Sequence, residues 1–284
     1  MKKKLYILLT IYLISNSLVG QSVSETFVYA QKLFNDKNYT QSGYYFQRVL
    51  VFGNAAYKWE SSVYLAEVFF KTKAYDKAYA AYNYLVYKAV EDSVKLNFKY
   101  KRLQCLLLSK KYKLAEVELL DIKSTVIGAD TLKYYFYYGV LHFLTASYDS
   151  AYIGFEKVLQ IKNPDSIFVL HQLITEISSF EKNYKRKARL KSMLIPGWGQ
   201  WYTGNKQPAV NSFLLLGALG TAFIVTGFNY GFLDASVWIL PWGYRYYSSG
   251  YKLAGQMALH NIEKQRYLVY NRIIQLMQNS YSVY

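Results

Sequence analysis

Small and large apolar residues recur along residues 24–163 with the periodicity of paired amphipathic helices. Four segments align without gaps on a tyrosine, and the spacings between the tyrosines are 36, 37 and 36 residues. A mostly small residue lies nine positions before each tyrosine, another lies three positions after it, and a large apolar residue follows four positions later. The four sets are Ala30, Tyr39, Ser42 and Phe46; Ala66, Tyr75, Ala78 and Tyr82; Leu103, Tyr112, Ala115 and Leu119; and Gly139, Tyr148, Ala151 and Phe155. Offsets of three and four keep one face of a helix apolar, so the pattern predicts four helical hairpins.

The pattern resembles the tetratricopeptide repeat (TPR). The second repeat matches best, through Ala66, Tyr75, Ala78 and Tyr82, and Pro164 lies near the position of the family's terminal proline. The period exceeds the family's usual length of about 34 residues, and Leu103 replaces a small residue. The resemblance implies an all-α chain with an α-α solenoid, whose concave surface binds a protein partner without catalysis. A generic array of α-hairpins is the alternative, with the same functional consequence.

Residues 164–191 form a transition from the repeats to an apolar region. An apolar stripe predicts a capping helix for the solenoid; it comprises Phe168, Leu170, Leu173, Ile174 and Ile177. A basic bridge follows, with Lys182, Lys185, Arg186, Lys187, Arg189 and Lys191. A basic cluster beside a membrane segment favours anionic lipid headgroups. A solvated helix face and a nucleic-acid contact are the alternatives.

The chain from 192 to 250 predicts a helical hairpin in or on a membrane. Residues 208–228 carry no charge, which suits a membrane span, whereas residues 232–247 contain Asp234, Pro241 and Arg245 and form a weaker candidate. Aromatic residues at both ends of the region predict a membrane-interface belt. Residues 251–284 return to helical periodicity and predict an amphipathic helix that packs on the hairpin, on lipid or on the solenoid.

A short motif marks the entry to this hairpin. Its residues are Pro196, Gly197, Gly199, Gln200, Tyr202, Gly204 and Asn205, with Arg245, Tyr246 and Tyr247 after the hairpin. The motif resembles a P-G-x-G-Q membrane domain of bacterial envelope proteins, often found behind helical repeats and typical of Bacteroidota. The resemblance implies a membrane location and carries no activity. A phosphate loop is not favoured, because Tyr202 occupies the third glycine position.

The N-terminus predicts export. Residues 1–20 combine Lys2–Lys4 with an apolar run of signal-peptide length and a plausible cleavage point after Gly20. An uncleaved anchor is the competing interpretation. A signal peptide disfavours nucleic acid as the partner of a chain whose formal charge is +16.

The residues give no support to catalysis or to a cofactor. The chain has 1 cysteine, Cys105, in an apolar helical run that predicts a buried thiol. Its histidines, His142, His171 and His260, share no metal-ligand spacing, and no paired carboxylates indicate acid–base chemistry. We therefore expect no catalytic residue, no cofactor and no metal.

These expectations define two hypotheses. The first is a non-catalytic scaffold of the bacterial cell envelope, with periplasmic repeats that bind a protein and a hairpin that anchors the chain to a membrane. The second is an accessory subunit of a membrane transport, secretion or assembly machine, in which the hairpin packs on a channel or barrel. In either hypothesis the hairpin crosses the membrane fully or docks on its surface.

Overall fold

The computed structural model describes residues 22–125 and 130–278, and these residues form helices and turns without a strand. The all-α class expected from the sequence is confirmed for this part of the chain. The chain divides into two compact units between Tyr134 and Tyr135. The predicted signal peptide, residues 1–20, lies outside the described residues.

The described part of the first unit contains successive helices that each pack on the next. They are α1 (Val23–Asn35), α2 (Tyr39–Phe52), α3 (Ala55–Lys71), α4 (Tyr75–Lys88), α5 (Asp92–Leu108) and α6 (Tyr112–Lys123), and the division between units falls within α7 (Asp130–Leu144). Side-chain caps fix several starts: Ser22 and Glu25 form a reciprocal capping box at α1, and the Asn54 side chain accepts from the Tyr57 N–H at α3.

One turn geometry recurs at all four repeat tyrosines. Two residues before each tyrosine the backbone is left-handed, with φ between 59° and 61°, at Lys37, Lys73, Lys110 and Ala146. In the second turn the Lys73 N–H donates to Phe70 O at 3.0 Å and the Ala74 N–H donates to Phe69 O at 2.9 Å. The other three turns repeat this pair of bonds, which is the Schellman ending of a helix. Each tyrosine is consequently the first residue of the following helix.

The small residues of the repeats allow the two helices of a hairpin to approach closely. Ala30, Ala66, Ala78 and Ala115 are fully buried in the first unit. The Ser42 hydroxyl donates to Ala30 O at 2.9 Å, which links α2 directly to the backbone of α1. The large residue of each repeat fills the remaining space, and the Phe46 ring stacks on Tyr64 of α3 with centroids 4.8 Å apart.

Polar contacts form both between consecutive hairpins and within the third hairpin. Gln31 donates to the Tyr64 hydroxyl at 3.1 Å, and Lys101 pairs with Glu67 at 2.6 Å. Arg102 of α5 bonds to Glu118 of α6 through Nε at 3.1 Å and through Nη2 at 2.6 Å. Both side chains of the Arg102–Glu118 pair are largely buried, so this pair is shielded from water.

The second unit continues from α7 with a different architecture. It contains α8 (Tyr148–Lys162), a 3-10 turn (Pro164–Ser166), α9 (Ile167–Leu194), α10 (Trp198–Tyr202), α11 (Lys206–Tyr230) and α12 (Phe232–Gln278). The first half of α9 packs on α8 and buries four residues of the predicted stripe, Leu170, Leu173, Ile174 and Ile177. The fifth, Phe168, is 70% exposed. The same helix then runs on through the basic bridge.

Helix α12 is continuous through position 250, where the sequence suggested a boundary between the hairpin and an amphipathic helix. Residues 242–278 contain no proline, and Gly250 and Gly255 lie in helical conformation where Gln200 and Arg189 approach them. Pro241 lies inside the helix without ending it. The first half of α12 therefore packs on α11, and the second half packs antiparallel on α9, with Ala254, Ala258 and Ile262 buried.

Candidate functional site

The P-G-x-G-Q motif forms the junction at which α9 ends, α11 begins and α12 passes by. Gln200 is fully buried there and bonds to three helices. Its Nε2 donates to Ser212 Oγ of α11 at 3.0 Å and to Gly250 O of α12 at 3.0 Å. Its Oε1 accepts from Ser192 Oγ of α9 at 3.2 Å. The glutamine therefore joins three helices in a buried, satisfied network.

Two of the motif glycines, Gly197 and Gly199, permit this convergence. Gly197 has φ +88° and lies so close to the carbonyl of Ala209 that any side chain would collide with it. Gly199 lies against the Ala188 carbonyl, and its N–H donates to Ser192 Oγ at 2.9 Å. These glycines serve close packing of α10 between α9 and α11.

The remaining motif residues lie around the junction, except for Arg245. The Tyr202 ring lies under the Lys191 ammonium and packs against Tyr184, and the Asn205 side chain donates to Thr203 Oγ1 at 3.1 Å. Gly204 has φ +84° in the turn before α11. Pro196 lines an apolar groove of 460 Å³. Arg245 lies apart from the Gln200 network, over the Trp242 ring at 5.8 Å.

Helix α11 and the first half of α12 form an apolar antiparallel hairpin below the junction. Gln200 holds Ser212 and Gly250 at one end, and Gly227 packs against the Phe232 ring at the other. Among the described residues, α11 is the helix whose length and apolar composition suit a membrane crossing. Only 6% of the most apolar 18-residue stretch of α11 is buried against the rest of the protein. Its apolar side chains therefore face outward, which a helix in a soluble core does not do.

Cations lie over aromatic rings at the level of the junction. Lys191 Nζ is 4.1 Å from the Tyr202 centroid, and Lys206 Nζ is 5.8 Å from the Trp201 centroid. Arg245 lies over the Trp242 ring on α12, about two helical turns from Gly250. Aromatic rings with amphipathic cations are typical of side chains at a membrane–water boundary.

The cations predicted to contact a lipid surface lie in three different surroundings in the structure. Lys182, Lys185, Arg186 and Arg189 line one groove along α9. Lys187 is exposed but does not line that groove, and Lys191 lies over the junction rings. The basic bridge is thus one helix with a cationic groove along one side.

Most of the repeat signature residues lie in the packed interior, where a partner cannot contact them. Phe46, Tyr82, Leu119 and Phe155 are all nearly or fully buried, whereas the turn tyrosines Tyr39, Tyr75 and Tyr112 are half-buried. The fourth turn tyrosine, Tyr148, is buried and donates to Glu181 Oε2 at 2.5 Å.

An exposed surface on α4 was missed by the sequence reasoning. Tyr84 is 51% exposed and Tyr87 is 82% exposed, and they line a groove of 470 Å³ with Ala80, Asn83 and Val86. A tyrosine-rich helix carries little sequence information on which rings are exposed, because exposure depends on the neighbouring helices. This groove is a candidate contact for a protein partner.

The thiol and imidazole groups that could react are packed against neighbouring side chains. Burial is the main cause that raises the pKa of the Cys105 thiol to about 12, which keeps it protonated. His171 packs edge-on against the Tyr152 ring. Within residues 22–125 and 130–278, no group of His, Cys, Asp or Glu side chains converges to hold a metal ion.

Comparison with models of protein families, with curated proteins and with solved structures returns no match for this chain.

Proposed function

We propose that this chain is a non-catalytic, protein-binding scaffold of the bacterial cell envelope, anchored to a membrane by the hairpin of α11 and the first half of α12. The observation that carries the proposal is the outward apolar surface of α11. Only 6% of the most apolar 18-residue stretch of this helix is buried. Exposing such a surface to water is unfavourable at ~25 cal/mol per Å² of apolar area. Lipid removes that cost, and the rings and cations at the junction suit the headgroup level.

The repeats supply the binding half of the proposal. They are TPR-like hairpins, and the groove at Tyr84 and Tyr87 offers an exposed aromatic surface to a protein partner. The signal-like N-terminus supports export, which would place the repeats in the periplasm. The chain requires no cofactor for this role.

Fractionation of the full chain tests the anchor. We expect it in the membrane fraction after alkaline carbonate, because peripheral proteins are released by that treatment. Changing Leu215 and Ile224, which are 40% and 54% exposed, to arginine should move the chain toward the soluble fraction. The matched control is the same change at Val117 and Leu120 of α6, which are 63% and 62% exposed. A wild-type chain that is freely soluble would disprove the anchor.

Affinity capture after mild detergent extraction tests the binding half. A protein captured by the wild type and lost with Tyr84→Ala/Tyr87→Ala would support it, whereas Val51→Ala/Phe52→Ala, on α2, should retain the partner. A partner that survives both double variants would overturn the assignment of the α4 groove.

The second candidate is an accessory subunit whose hairpin packs on a membrane protein. Gly217 and Gly220 of α11 favour it, because no atom of another helix lies within 4 Å of the Cβ position at either. Small exposed residues let a second helix approach closely within a membrane. Gly217→Leu/Gly220→Leu should release a membrane partner if this role holds, and should leave capture by the repeats unchanged if it does not.

A further inference from the structure

A groove of 390 Å³ runs along one side of α9, directly beyond the junction. Lys182, Lys185, Arg186 and Arg189 line it, and Leu190 and Met193 line it toward the junction. These residues recur at intervals of three and four, so they share one face of the helix. Lys185 and Arg186 are exposed, and their charged ends are accessible to a ligand.

The charge of the groove is strongly positive. Glu181 is the one carboxylate among its lining residues, and it is already bonded on both oxygens. Its Oε1 accepts from Arg266 Nη2 at 2.6 Å, and its Oε2 accepts from the Tyr148 hydroxyl at 2.5 Å. Arg266, which lies outside the groove, therefore balances the charge of this carboxylate. The four lining cations keep a net positive charge, and the groove attracts an anion.

The groove changes from cationic to apolar along its length. Lys182 and Met193 are separated by ~16 Å at the usual helical rise. The apolar end lies next to the hairpin, because the Tyr247 hydroxyl of α12 donates to Met193 O at 2.8 Å. The cationic end points away from the hairpin. A phospholipid has the same order, with its phosphate outside and its acyl chains toward the membrane interior.

We propose that this groove binds the headgroup of an anionic phospholipid, with its phosphate among Lys182, Lys185 and Arg186 and its acyl chains along Leu190 and Met193. The inference rests on the proposed membrane anchor, since the hairpin brings the apolar end of the groove to the membrane surface. Arginine can hold a phosphate through two parallel N–H bonds, and lysine adds a point charge. A soluble polyanion would satisfy the cations but would leave the apolar end without a partner.

Lipid titration of the full chain in mild detergent, followed by native mass spectrometry, tests the groove. We expect the first phosphatidylglycerol to bind more tightly than the first phosphatidylcholine. Lys185→Gln/Arg186→Gln should weaken phosphatidylglycerol about 25-fold, at about fivefold for each cation, with phosphatidylcholine unchanged. The matched control Lys187→Gln/Lys113→Gln removes equal charge outside the groove and should bind as the wild type does.

The outcomes separate the groove from the anchor. Equal binding of the two lipids by the wild type, or equal losses in the two double variants, would overturn the headgroup site. Displacement of phosphatidylglycerol by a single-stranded oligonucleotide at lower concentration would also overturn it, in favour of a polyanion site. Flotation on pure phosphatidylcholine vesicles depends on the hairpin alone, so its failure would disprove the anchor while lipid binding in detergent still reports on the groove.

Discussion

Gln200 Nε2 donates to Gly250 O across fifty residues of sequence, at 3.0 Å. The same side chain bonds to Ser192 and Ser212, so one buried amide joins α9, α11 and α12. The junction therefore depends on a polar side chain that water does not reach. Its contribution is measurable by removing the amide while keeping the side-chain length.

Gln200→Met should destabilise the second unit by about 3 kcal/mol, because three polar partners would lose a hydrogen bond in a buried site. Thermal unfolding in detergent measures the loss, and limited proteolysis between residues 192 and 206 locates it. Gln207→Met, at an exposed position of α11, is the matched control and should leave both readouts unchanged. Equal behaviour of the two variants would contradict a structural role for the Gln200 network.

Replacement of a left-handed lysine by glycine should stabilise the first unit. Lys110 has φ 59° directly after α5, a conformation that disfavours side chains by about 1 kcal/mol. Lys110→Gly should slow thiol labelling of Cys105 about fivefold, because this buried cysteine lies on the same helix and reacts only on opening. Lys113→Gly, at a helical position of α6, should accelerate labelling instead. If both variants changed the labelling rate of Cys105 in the same direction, the left-handed conformation of Lys110 would not explain the effect.

The buried Arg102–Glu118 pair should give a pH-dependent phenotype. Burial raises the pKa of Glu118, and hydrogen bonding and charge from Arg102 oppose that rise. Arg102→Leu should cost about 3 kcal/mol at neutral pH, because it leaves a buried carboxylate without its partner. It should also raise the Glu118 pKa further. A folded pKa above the unfolded value contributes stability at low pH that is lost as pH rises through the folded value, so the deficit should shrink from pH 7 to pH 5.

Urea unfolding followed by circular dichroism at both pH values measures this deficit. The control is Arg102→Leu/Glu118→Gln, which has no titratable group at position 118 and should show a pH-independent difference from Glu118→Gln alone. A deficit for Arg102→Leu that is the same at pH 7 and pH 5 would show that Glu118 does not titrate in this range.

The hydroxyl of the fourth turn tyrosine, Tyr148, should contribute more to stability than the hydroxyls of the other turn tyrosines. Tyr148 is buried and donates to the charged Glu181 carboxylate, whereas Tyr75 is half-buried with its ring edge-on to Phe70. Tyr148→Phe should therefore lower the free energy of unfolding by about 2 kcal/mol, because hydrogen bonds to charged groups are the stronger ones. Tyr75→Phe should change it by less than about 0.5 kcal/mol. Thermal unfolding of the two variants side by side checks the difference, and equal shifts would contradict the role of Glu181.

The sequence by itself determined the helices of the repeats. The spacing around Tyr39, Tyr75, Tyr112 and Tyr148 predicted four helical hairpins, and in the structure α2, α4, α6 and α8 begin at these tyrosines. Local rules suffice for this, because the Schellman bonds and the apolar face both act over fewer than two turns of helix. The uncharged segment from 208 to 228 likewise falls within one helix, α11.

Only the tertiary structure decided which helices meet around the motif. Gln200 bonds to Gly250, and Arg266 bonds to Glu181 across 85 residues, and no periodicity within one helix encodes such pairs. It also decided that α12 runs unbroken past position 250, where Gln200 bonds to Gly250 O and Arg189 packs against Gly255. Patterns of three and four residues report on one helix at a time, and they suffice for the cationic face of α9. The junction instead arises from packing among α9, α10, α11 and α12.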